Sequence, residues 1–159
     1  MRRATFAALM VATWAVLAVS CGSGEVSREE YGQELRSAMQ DVEEAYADSG
    51  AVVEGAPEEA ATTDTGAQLR AKQIALRDAA NRLDSITAPD DLASAHESLV
   101  SGVRDMADAV DLLIDAQEAS TSDPAEAKRL AREFATDTSF GKVEAAASKI
   151  QQAGVDAGL

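Results

Sequence analysis

The chain has 159 residues, with 14 Lys and Arg against 28 Asp and Glu and a formal charge of −14. That balance, with no dense basic run, excludes recognition of nucleic acid or anionic head groups, which requires clustered cations. One cysteine forbids an internal disulfide, and one histidine leaves little equipment for acid–base chemistry near neutral pH.

Arg2 and Arg3 precede an uncharged stretch, Ala4 to Ser20, that carries Phe6, Leu9, Met10, Val11, Trp14, Val16, Leu17 and Val19. A basic start, an apolar run and small residues at its end form a signal peptide over residues 1–20, expected as a helix ahead of the domain. The run is 17 residues long, the short limit for a hydrocarbon core of about 30 Å, so an uncleaved anchor is the second reading. No later segment is apolar enough to span a membrane.

Leu17, Ala18, Val19, Ser20 and Cys21 resemble the lipobox of bacterial lipoproteins, with Ala18 at the position where the strongest examples carry Leu. The resemblance covers the signal region alone. It implies that a diacylglycerol joins the Cys21 thiol, that the preceding peptide bond is cut, and that the mature chain is held at the extracytoplasmic face of a membrane by this lipid. Ala18 and Ser20 also suit release as a freely secreted protein. Two features favour the lipid: a lone exported thiol would be an oxidation liability, and Gly22, Ser23 and Gly24 follow as a flexible tether within residues 21–26.

The 139 residues after Ser20 suit one domain, expected over 27–159. Their only aromatics are Tyr31, Tyr46, Phe134 and Phe140, while Ala dominates, a composition that favours close-packed helices over strands. Tyr31, Leu35, Met39, Val42 and Tyr46 recur at helical steps from about Ser27 to Asp48, and Ser27 with Glu30 supplies a capping box. A loose connection is expected over 50–63, with Gly50, Gly55 and Pro57 and only Val52 and Val53 as larger apolar residues. A second helix follows from about Thr65 to Ile86, started by Asp64, with Leu69, Leu76, Leu83 and Ile86 on one face.

The third helix, about Pro89 to Ser120, carries an unbroken seven-residue repeat in Leu92, His96, Leu99, Val103, Met106, Val110, Leu113 and Gln117, with Asp90 and Asp91 in its first turn. Asp123, Pro124 and Glu126 announce a fourth helix by cap, first-turn proline and reciprocal acid, and Leu130 and Phe134 give its face. Phe140, Val143, Ala147 and Ile150 continue one residue out of phase, which predicts a kink or restart at Thr136 to Ser139. The expected fold is all-α: an antiparallel four-helix bundle with the last helix kinked or split, a three-helix arrangement being the runner-up.

Charge fits that topology. Residues 27–48 sum to −5 and 88–120 to −7, whereas 64–86 sum to +1 and 123–156 to −1. In an up-and-down bundle the two acidic helices are diagonal, and Arg70, Lys72, Arg77, Arg82, Lys128, Arg129 and Arg132 lie between them.

Among candidate site residues, His96 falls on the apolar seam, as a ligand or pH-sensing group or as a core histidine that meets a polar partner. No second histidine four residues on and no Glu three residues before it completes a zinc or di-iron motif. Asp108, Asp111, Asp115 and Glu118, with Asp105 beside them, form an acidic stripe that could hold a hard cation loosely or simply face solvent. No nucleophile elbow, phosphate-cradling loop or cofactor fingerprint exists, so neither an enzyme nor a cofactor is expected.

Leu83, Ile86, Pro89, Leu92, His96, Leu99 and Val103 resemble a pattern of small helical lipoproteins of high-GC Gram-positive bacteria, over about 20 residues. The resemblance implies an anchored helical domain and carries no catalytic residue. The expected role is a membrane-anchored, non-catalytic interaction or structural module of the cell envelope, with an envelope protein as partner. The alternative is a ligand-binding lipoprotein for a cation or small solute.

Overall fold

The computed structural model describes residues 26–47 and 63–158. The signal segment, Cys21 and the 50–63 connection lie outside them, except that Thr63 opens a helix instead of ending a loop. The described residues form a bundle of four helical members and contain no strand: α1 (Arg28–Ala47), α2 (Thr63–Asp84), α3 (Ala93–Ala119) and a bent last member made of α4 (Pro124–Ala135) and α5 (Ser139–Gln152).

Local chemistry sets the boundaries. Ser27 caps α1 by accepting the Glu30 amide at 3.2 Å, with Glu29 and Glu30 beside the positive end of the helix dipole. Asp90 and Asp91, expected in the first turn of the third helix, instead lie in a 3₁₀ turn, Asp90–Leu92, closed by the Leu92 amide on the Pro89 carbonyl at 2.8 Å. The proline keeps residue 88 out of helical conformation and the chain tightens before α3 begins. Leu92 stays on the buried face, so the seven-residue pattern runs through the turn unbroken.

Asp123 caps α4 through its side chain, which accepts the Glu126 amide at 3.1 Å, and Pro124 fills the first turn. Asp123→Ala is expected to lower unfolding free energy by about 1 kcal/mol, read as a fall in denaturant midpoint at constant slope. An unchanged midpoint would mean that α4 does not need its cap. The helix breaks at Thr136–Thr138, where Asp137 accepts the Ser139 amide at 2.8 Å and restarts the chain as α5.

The core is filled by Tyr31, Leu35, Met39, Leu76, Leu83, Leu99, Val103, Val110 and Ile150, all fully buried. Buried alanines (Ala38, Ala79, Ala80, Ala107, Ala146, Ala147) let the helices approach closely. α3 is the central member, packed on α2, α4 and α5, while α1 packs mainly on α2. α3 and α5 approach closely at Gly102, where an added Cβ would sit 2.8 Å from Val143 Cγ2. Phe140, expected on the buried face of the last member, is instead 45% exposed. It occupies the first turn of α5 at the rim of the bundle and stacks on Tyr46 of α1, with ring centroids 5.4 Å apart.

The end of α5 turns sharply. Gly154 adopts φ 86°, a left-handed conformation that costs little without a Cβ, and the Val155 amide reaches back to the Ile150 carbonyl at 3.3 Å. The tail then runs over the start of α1, burying Val155 and Ala157, with Val155 Cγ1 only 3.1 Å from where a Cβ on Gly32 would lie. Arg28 clamps this end: it donates to the Ala153 carbonyl and pairs with Asp91. Arg36 adds a pair with Asp156 at 3.3 Å.

Candidate functional site

α3 brings the chain's only histidine into the core. His96 lies one turn into the helix and is 8% exposed. Its Nε2 lies 3.0 Å from the Leu83 carbonyl at the end of α2, and its Nδ1 lies 3.0 Å from the Tyr31 hydroxyl on α1. A carbonyl can only accept, so Nε2 carries the proton and Nδ1 accepts from Tyr31. The neutral ring thereby satisfies both nitrogens and joins three helices. The rings of Tyr31 and His96 also meet edge to face, with centroids 5.6 Å apart.

Burial pushes the His96 pKa below its ordinary value of 6.5, against the opposing pull of the Leu83 hydrogen bond and the charge of Asp84. Burial likewise raises the Tyr31 phenol to about 12. Both groups are therefore held neutral at physiological pH.

The acidic stripe of α3 is divided between neighbours. Asp108 and Asp111 each lie 3.4 Å from Arg77 of α2, Glu118 pairs with Arg70, and Asp111 also accepts from Gln73, a buried amide whose Nε2 lies 3.4 Å from the Ala107 carbonyl. On the other flank Asp105 pairs with Lys142 of α5 at 2.7 Å, and this contact raises the lysine's pKa. Asp115 is exposed. Asp105, Asp108, Asp111 and Glu118 thus keep much of their surface in solvent while also pairing between helices. Each pair is largely solvent-exposed and contributes little alone.

His96 and the stripe do not meet: twelve positions separate His96 from Asp108, about 18 Å along a helix. Among the described residues no group of three or more His, Asp or Glu side chains is arranged to hold a metal ion. Two of the grooves on the described surface border α2. The larger, about 880 Å³, runs between α1 and α2 over Ala45, Ala71 and Ala75, edged by Asp41, Lys72 and Arg82. The smaller, about 220 Å³, lies at Glu34, Arg82, Ser85 and Ile86. Neither is lined by His96.

Arg82 at the edge of both grooves pairs with Asp41 and donates to Ser37 Oγ at 2.8 Å. The basic residues of α2 thus divide, with Arg82 toward α1 and Arg70 and Arg77 toward α3. The sequence gives no direct sign of the Tyr31–His96 bond, because its partners stand 65 residues apart; a polar residue on each of two apolar faces was the one available hint. No protein family, no curated protein and no solved structure matches this chain.

Proposed function

We propose that this protein is an extracytoplasmic lipoprotein, held to a membrane by lipid on Cys21, whose helical domain serves as a non-catalytic interaction or structural module of the cell envelope. The observation that carries the non-catalytic reading is the internal use of the one imidazole. His96 is buried and engages Leu83 and Tyr31 through its two nitrogens. A general acid or base must instead reach a substrate.

The domain is read as an antiparallel, up-and-down bundle. In support, Arg70 near the start of α2 meets Glu118 at the end of α3, Arg77 meets Asp108 and Asp111 midway, and Asp84 at the end of α2 meets Arg104 in the first half of α3 at 3.0 Å. The anchoring argument rests on the lipobox resemblance and on the tether. Five residues separate Cys21 from Ser27, a reach of at most about 20 Å. The end that holds Ser27, the 3₁₀ turn and the C-terminal tail would then face the membrane, and the groove between α1 and α2 would open sideways to a partner. No described helix is long and apolar enough to cross a membrane.

Cys21→Ser is expected to move the protein almost wholly from the membrane pellet to the soluble fraction with its helical circular dichroism intact, and intact mass of the parent should show a lipidated Cys21 at the mature N-terminus. A variant that stays in the pellet would point to an uncleaved signal anchor. In-cell crosslinking should recover a recurrent envelope protein.

The second reading is a ligand-binding lipoprotein. The open groove between α1 and α2 favours it, since its walls mix Asp41 and Glu44 with Lys72 and Arg82. A melting temperature raised by one member of a panel of small solutes and divalent cations would support that reading over the first.

A further inference from the structure

The Tyr31–His96–Leu83 chain joins α1 to the bundle in a way that depends on a single proton. We propose that it is an acid-sensitive latch: while the His96 ring is neutral it holds α1 against α3, and protonation at Nδ1 reverses the bond to Tyr31, leaves the phenol hydrogen without an acceptor and loosens α1 from the remaining helices. The inference is independent of the anchor and of any partner.

Geometry carries it. With Nε2–H committed to the Leu83 carbonyl, an added proton can go only to Nδ1, where it faces the hydroxyl that now donates to it. The Tyr31 hydroxyl must turn its own hydrogen away. Tyr31 is fully buried and the bond to His96 is its only side-chain hydrogen bond among the described residues, so that hydrogen has nowhere satisfied to go. Among the helices, α1 is the natural one to yield, since α2 is its main helical neighbour, whereas α3 packs on three.

The charged groups around the latch come from each neighbouring element. α1 contributes Arg28, held by Asp91 of the 3₁₀ turn, where Asp90 is also exposed. α2 contributes Asp84, whose negative charge draws a proton toward the ring while its carboxylate is shared with Arg104 of α3. α3 adds exposed Glu97, and the tail after α5 adds Asp156, paired with Arg36. None of these carboxylates is hydrogen-bonded to the ring, so none offers the new Nδ1–H an acceptor in place of Tyr31.

The direction in pH follows. Above the ordinary imidazole value of 6.5 the ring is neutral whether the chain is folded or not. Below it the unfolded or opened state takes up a proton that the closed state resists, so closure weakens as pH falls through that range. Work down to about pH 5 stays where carboxylates as a class remain ionised.

The test is hydrogen–deuterium exchange on the full chain at pH 7 and about pH 5, corrected for intrinsic exchange. Peptides from residues 28–39 should lose protection at the lower pH, because the opened state takes up the proton that the closed ring resists, while the centre of α3 is unchanged. Tyr31→Phe should raise α1 exchange already at pH 7, and His96→Gln should make it insensitive to pH over the window. Equal protection of α1 at both pH values in the parent overturns the latch. So does a loss shared equally by α1 and α3, or a pH response retained in His96→Gln. Because the chain has one histidine, the parent's imidazole NMR titration needs no variant. A midpoint at or above 6.5 overturns the proposal as well.

Discussion

Leu99→Ala is expected to destabilise the domain by about 3 kcal/mol, within the range for emptying a fully buried leucine site. Leu99 is wholly excluded from solvent on α3, the helix that α2, α4 and α5 all pack against. A cavity there cannot be filled by shifting one neighbour without disturbing the others, so relaxation is limited and the cavity cost adds to the lost transfer energy. For a domain of this size the change corresponds to a fall in melting temperature of about 10 °C. Chemical denaturation should give the same loss at constant slope. A loss below about 1 kcal/mol would mean that the core collapses around the site far more readily than close packing permits.

Gly102 gives the second large effect, and its sign opposes propensity. In an exposed helix interior Gly→Ala gains about 1 kcal/mol. Here the new Cβ would lie 2.8 Å from Val143 Cγ2 and 3.2 Å from the Val143 backbone nitrogen. The methyl can rotate away, but the backbone cannot, so α5 must move outward. Gly102→Ala is expected to be net destabilising, and Gly102→Leu to cost about 3 kcal/mol, at the upper end of overpacking. Hydrogen exchange should then report loss of protection in α5 before α2. A stabilising Gly102→Ala would show that α3 and α5 stand further apart than described.

The helices were legible because large apolar residues carried the period. Leu92, His96, Leu99, Val103, Met106, Val110 and Leu113 all face inward, as their spacing requires. Asp123 with Pro124 marked a start that the capping bond explains, and the phase slip after Phe134 marked the break at Thr136–Thr138. Alanine carried no such signal. It favours a helix equally on either face, so nothing in the pattern distinguished buried Ala107 from exposed Ala131.

Contacts between distant segments were beyond local periodicity. Gln73 sits on the buried face because an amide can reach the Ala107 carbonyl, whereas the neighbouring Ile74 points outward at 59% exposure. The helix end at Gln152 depends on Gly154 in a left-handed turn and on burial of Val155 against α1. The candidate site divided similarly. His96 was found by being unique, but its two partners were fixed only by three helices meeting.

The clamp between Arg28 and the Ala153 carbonyl spans 125 positions. A chain that emerges N-terminus first therefore presents the start of α1 long before the strap that covers it exists. α2 and α3 can assemble from neighbouring sequence, but the outer face of α1 at Gly32 stays open until Val155 arrives. Completion of the first helix thus waits on residues some 125 positions later, and a nascent chain that stops short of them remains unsealed at that end.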